Sequence, residues 1–104
     1  MRFMKTIRFK PKPEFLDDFL IEYHKVNEAV LKNGSIDSYF TAVVDDESVY
    51  IGTFSDKEAV SNTIQIGLDW LYNFKHMLQL YSDENSNVLL ESGAINNENI
   101  ISTL

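Results

Sequence analysis

Apolar and polar residues alternate from Phe3 to Phe9, with Phe3, Ile7 and Phe9 on one side and Met4, Thr6 and Arg8 on the other. That period of two predicts a strand. Lys10-Pro11-Lys12-Pro13 ends it, and Pro13 suits a first helical turn, where its missing N–H costs nothing. The period then changes. Phe15, Leu16, Phe19, Leu20, Tyr23, Val26, Val30 and Leu31 form one stripe, predicting a helix from Pro13 to Lys32 that stops at Asn33-Gly34. Asn27 sits inside the stripe, and Ile21 lies outside it. Ile36–Val44 and Val49–Phe54 read as two strands joined by the polar turn Asp45-Asp46-Glu47-Ser48. Gly52, in mid-strand, predicts a bulge or a close approach by another group.

The stretch from Ser55 to Tyr81 reads as a second, longer helix. Ser55-Asp56-Lys57-Glu58 has the S-x-x-E form of a capping box. Val60, Ile64, Gly67, Leu68, Leu71, Phe74 and Leu78 share one face, and Ala59, Ile66, Trp70, Met77 and Tyr81 share an adjoining one. The apolar arc spans roughly 200°, wider than packing on one sheet requires. The helix is therefore expected to be buried on two sides, with Gly67 as a place for a kink or a close neighbour. A polar loop over 82–87 precedes a last strand from Val88 towards Ile95.

The order strand–helix–strand–strand–helix–strand is the ferredoxin-like arrangement, an α+β fold with an antiparallel sheet. Helices cover one face of such a sheet, and the other should be polar. Here both faces carry apolar side chains, since Tyr39, Thr41 and Val43 alternate with Phe40, Ala42 and Val44. The uncovered face is expected to meet a second sheet, which makes the protein a homodimer. Residues 1–95 form one expected domain and 96–104 a tail.

At 104 residues the chain is long enough for one core. A net charge of −7, from nine basic and sixteen acidic residues, argues against nucleic-acid binding. Lys5, Arg8, Lys10 and Lys12 cluster, but read as a solvated edge. No run is long and apolar enough to span a membrane, and Met1-Arg2-Phe3-Met4-Lys5 does not read as a signal peptide. With no Cys, thiolate chemistry and disulfides are excluded, and cytoplasm is the default setting.

Few residues carry an obvious chemistry. His24 and Glu28 have the i,i+4 spacing of a surface pair, and no second His stands near enough in sequence to complete a metal site. His76 falls on the polar arc near Tyr72. There is no Gly-rich phosphate loop and no G-x-S-x-G elbow. Tyr23, Asn27, Trp70 and Phe74 remain as candidates for lining a small-molecule pocket.

Lys10-Pro11-Lys12-Pro13-Glu14-Phe15 resembles the K-P-G-x-E-x-x-F segment of the antibiotic biosynthesis monooxygenase-like proteins. Val49-Tyr50-Ile51-Gly52-Thr53-Phe54-Ser55-Asp56-Lys57-Glu58-Ala59 resembles their third strand and the helix start after it. Leu68-Asp69 through Leu78, followed by Ser92-Gly93, is similar to one branch of that group, so the likeness runs in order over residues 1–95. It implies a dimeric α+β barrel with a pocket between sheet and helices. It also implies cofactor-free oxygenation of a small aromatic substrate, with Asn27, Tyr23 or Tyr72 as donor to the substrate anion. A non-catalytic binding or assembly protein of the same barrel is the alternative. The haem-degrading branch pairs a strand-one Asn with a Trp and a His. Here strand one offers Thr6, and Trp70 and His76 stand about 120° apart on a helix, so haem chemistry is disfavoured. Trp70 decides between pocket and packing, with packing the favoured reading.

Overall fold

The spine of the sheet is β1 (Phe3–Phe9), which runs antiparallel between two neighbours. In this computed structural model, which describes residues 2–81 and 86–97, the further elements are α1 (Leu16–Lys32), β2 (Ser38–Val44), β3 (Glu47–Phe54), α2 (Lys57–Phe74) and β4 (Val88–Ala94). The strands lie in the order β2-β3-β1-β4, all pairs antiparallel, which is the ferredoxin-like α+β topology expected from the periodicity. No helix among the described residues is long and apolar enough to cross a membrane.

Register decides which side chains meet the helices. Ile7 stands opposite Tyr50 and Leu90, and Phe9 opposite Ser48 and Val88, so these share the helix-covered face. Phe9, Phe19, Tyr23, Tyr50 and Leu78 form one buried cluster, and Val30, Ile36, Phe54 and Val60 a second. Burying each such side chain contributes roughly 1.5–3 kcal/mol. The other face carries Phe40, Val44 and Ile51 in the open, with Phe40 73% exposed. The apolar second face expected from the alternation of β2 is therefore present.

Several local expectations need correction. The β2–β3 connection is a two-residue turn rather than four, since Val44 already pairs with Glu47. Asp45 and Asp46 both adopt positive φ, 52° and 64°, the geometry whose twist matches a hairpin. Gly52 makes no bulge, because its ladders on both sides are unbroken. It answers to a close approach instead: a Cβ there would come within 2.7 Å of the Tyr50 phenol carbon Cζ. The N-cap of α2 is Asp56, not Ser55; its carboxylate accepts the Ala59 N–H at 2.8 Å. At the end of α1 the Asn33-Gly34 stop holds, with Gly34 at φ 80° and its N–H on the Leu31 carbonyl.

The second helix is also shorter than its pattern. Regular α-structure ends at Phe74, one 3-10 turn spans Lys75–Met77, and Leu78 is extended. The reason is competition for backbone partners. The proline-punctuated segment after β1 has free groups, and it captures them: Lys12 N–H bonds the Met77 carbonyl and Gln79 N–H the Lys10 carbonyl, each at 2.8 Å. That bridge turns Leu78 into the core, while Tyr81 leaves the helix and hydrogen-bonds Glu47. Gly67 produces no break, and the helix continues through it. Residues 82–85 of the expected polar loop and 98–104 of the expected tail lie outside the described residues.

Candidate functional site

The two helices touch each other little, and the gap between them and the sheet is where side-chain chemistry collects. On the α1 side of α2 a cavity of about 70 Å³ is walled by Tyr23, Val26 and Asn27 of α1, Lys5 and Phe9 of β1, and Trp70 of α2, among others. On the far side of α2 lies a second, of about 90 Å³, bounded by Ile64, Leu68 and Leu71 and by Val88 and Leu90 of β4. Both are floored by Lys5, Ile7 and Phe9 and edged by Thr63 and Gly67. Each alone is roughly half the volume of a cavity that holds one benzene ring, about 150 Å³, and the two share a floor.

Lys5 is the residue the sequence reading misplaced. It belongs to no solvated edge: it is 8% exposed, on the helix-covered face opposite Gly52 and Ser92. Its Nζ donates to Thr63 Oγ1 at 3.0 Å and lies 5.2 Å from the centre of the Phe54 ring. The Thr63 hydroxyl in turn donates to the Val60 carbonyl at 2.8 Å, which holds it as an acceptor. Burial lowers the Lys5 pKa from its ordinary 10.5. Among the described residues no carboxylate is ion-paired with it, whereas Arg2, Arg8 and Lys25 pair with Asp37, Glu47 and Glu22. The signal was available: alternation puts Lys5 on the side of Phe3, Ile7 and Phe9.

Of the four residues expected to line a pocket, Tyr23, Asn27 and Trp70 do so together. The Tyr23 hydroxyl and the Asn27 amide nitrogen are buried with no partner in good hydrogen-bond geometry, the amide lying near enough to the phenol to act on it, an arrangement rare enough to need a reason. Burial, and then the nearby Tyr50, push the Tyr23 pKa far up, with the Asn27 amide pulling weakly the other way. The phenol is a neutral donor at any physiological pH. Trp70 packs on Phe9, Phe19 and Tyr23 with ring centres 6.0, 5.5 and 5.2 Å away, so it is core on one side and cavity wall on another. Phe74 stands behind it, 5.0 Å from its ring, and does not reach the cavity.

Tyr72 is no donor to this site: it is 73% exposed, with Lys75 Nζ 5.1 Å over its ring, because two residues beyond Trp70 is the opposite side of a helix. His76 is exposed against Phe15, their rings 5.9 Å apart. His24 lies 3.9 Å from Glu28 on the outer surface of α1, and Glu28 accepts the Tyr39 hydroxyl at 2.8 Å. No cluster of three potential metal ligands occurs among the described residues.

This architecture is shared with solved structures. The chain shares its fold with a cofactor-independent oxygenase. SnoaB from Streptomyces nogalater, so described, is 9% identical, with a TM-score of 0.72 over 93% of this chain and 95% of that one. Rv0793 from Mycobacterium tuberculosis matches at 15% identity and TM-score 0.76, over 94% of this chain and 98% of its own. A dimeric ferredoxin-like protein of unknown function from Jannaschia sp. CCS1 matches at 11% identity and 0.70, over 91% and 100%. No protein-family model matches the sequence, and neither does any curated protein. At these identities the likeness is one of fold.

Proposed function

We propose that this protein is a homodimer that binds a small aromatic molecule between sheet and helices and oxygenates it without a cofactor. The observation that carries the reading is the convergence of a buried ammonium (Lys5), a buried phenol (Tyr23) and a buried amide (Asn27) on one aromatic-walled cavity. Such donors stabilise an anion in a dry site. In cofactor-free oxygenation the substrate anion passes an electron to O2, the two radicals combine, and the peroxide loses water. One CH2 and one O2 then become one C=O and one H2O. The fold shared with a cofactor-independent oxygenase supports this reading.

The dimer is supported by the open apolar sheet face around Phe40, Val44 and Ile51, and by the dimeric neighbour of the same fold. Light scattering at micromolar concentration should give twice the chain mass; a stable monomer would end this part. The cytoplasmic setting belongs to the same reading.

One observation favours the alternative of a binding protein without chemistry. Among the described residues, neither cavity is lined by an Asp, Glu or His, the usual general bases. Oxygen uptake with a panel of phenols and quinols separates the two readings. Consumption above the protein-free rate that disappears in Tyr23→Phe/Asn27→Ala supports the oxygenase. Ligand-dependent change in the fluorescence of Trp70, the sole Trp, without oxygen uptake supports the binding protein. Fluorescence unmoved by every aromatic tried would make Trp70 packing alone.

A further inference from the structure

Lys5 sits at the middle of β1 with its ammonium on Thr63 of α2, and it lines both cavities. An ammonium has three donor hydrogens. One is taken by Thr63, and the Phe54 ring face covers another side. Acid is not scarce in a chain with sixteen Asp and Glu, yet none among the described residues neutralises this cation. A buried charge left unpaired is strongly unfavourable unless something else completes it. The other two polar atoms left unsatisfied in the same cavity, the Tyr23 hydroxyl and the Asn27 amide nitrogen, are also donors. Much of the remaining wall is apolar, with the rings of Phe9 and Trp70 beside Val26 and Ile36. The site thus offers several donors, one of them charged, beside aromatic and aliphatic side chains. What it lacks, among the described residues, is an acceptor carrying negative charge. With no described carboxylate or imidazole in the lining, that charge is supplied by the ligand.

We infer that the cavity takes an aromatic monoanion, an oxyanion carried on a single flat ring, with its charged oxygen set on Lys5 Nζ and within reach of Tyr23 and Asn27. This rests on the reading that the cavity binds a small aromatic, and it adds the charge and the residue that selects it. A carboxylate has two oxygens and about four acceptor positions, enough for all of these donors. A phenolate oxygen would serve Lys5 and one neighbour.

Benzoate, benzamide and benzamidinium have nearly one shape and charges of −1, 0 and +1, so titration calorimetry with the three reads charge selection directly. Benzoate should bind at least about tenfold more tightly than benzamide, and benzamidinium should not bind. Lys5→Met should bring benzoate down to the affinity of benzamide while benzamide itself still binds. Should that variant not fold, Lys5→Gln carries the same expectation. 4-Nitrophenolate against nitrobenzene tests the phenolate source, and a preference in that pair alone assigns the site to phenolates. Equal binding of neutral and anionic members in both pairs would overturn the inference and leave the cavity reading standing. Anion preference that survives loss of Lys5 would overturn it too. No binding by any of the five probes would overturn the cavity reading itself, and this inference with it.

Discussion

The two helices lie on the same face of the same sheet, and both have an amphipathic pattern, yet they are seated differently. The first, α1, buries Phe19, Tyr23, Asn27 and Val30 along its length. The second, α2, buries only Val60 and Thr63 near its start, and leaves Ile64, Ile66 and Leu68 between 36% and 55% exposed. Its broad apolar arc was expected to mean burial on two sides; within this chain neither side is filled, and a cavity lies along each. One helix anchors the core, and the other roofs a space. Substitutions along α1 should therefore cost more stability than substitutions along α2, which roofs both cavities.

The largest effect that tests this contrast is at Phe19, fully buried and in ring contact with Phe9, Tyr23 and Trp70. Phe19→Ala should lower unfolding stability by about 3–5 kcal/mol. Leu68→Ala, at a position 55% exposed on α2, should change it by less than about 0.5 kcal/mol. Urea denaturation of both variants checks the pair. Comparable losses would mean that α2 is as firmly seated as α1, through the partner subunit.

Alkaline pH sharpens the comparison next. Burial, reinforced by Tyr39, pushes the Tyr50 pKa up to about 12, and burial with the Glu28 hydrogen bond pushes Tyr39 to about 12. A raised folded pKa means stability that is complete below the unfolded value of 10.0 and lost as pH climbs from there towards 12. Lys5 has the opposite sign. Its lowered pKa makes burial of the ammonium most unfavourable below the folded value, and the burden lifts as pH rises towards 10.5. Denaturation midpoints measured from pH 8 to 12 should therefore rise and then fall. Tyr50→Phe should flatten the fall, and Lys5→Met should remove the rise. A rise that persists in Lys5→Met would place its origin elsewhere.

Why some of this was legible in the sequence and some was not follows from range. Alternation over Phe3–Phe9, the Gly34 stop and the periodic stripe of α1 are local, and each appears where its spacing put it. The end of α2 was set by a distant segment, Lys10–Lys12, whose free backbone groups no window around Met77 contains. Lys5 was misread for a different reason. Its position in the alternation pointed inward and its charge pointed outward, and charge was given precedence. Where those two disagree, the site is found. Trp70 was ambiguous as a pattern because it is both core and wall. Tyr72 entered only as a donor implied by the resemblance, and its place on the polar arc of α2 leaves it exposed.

The smallest effect separates the roof from the anchor most directly. Gly67 lies in the middle of α2, where glycine is less favourable than alanine by about 0.5–1 kcal/mol. Among the described residues, nothing beyond its chain neighbours and the helix's own backbone lies within 4 Å of where its Cβ would stand, so no packing among them excludes a methyl group there. It edges both cavities, beside Lys5 and Thr63. Gly67→Ala should thus raise stability by up to about 1 kcal/mol, seen as a higher melting temperature. If a ring seated over Lys5 uses the space left by the missing side chain, the same substitution should weaken benzoate binding. A more stable helix with poorer binding is a combination that a purely structural glycine does not produce. Higher stability with unchanged affinity would show that the ligand does not touch α2 at this point. Lower stability would show that α2 has no room for a methyl group at this point.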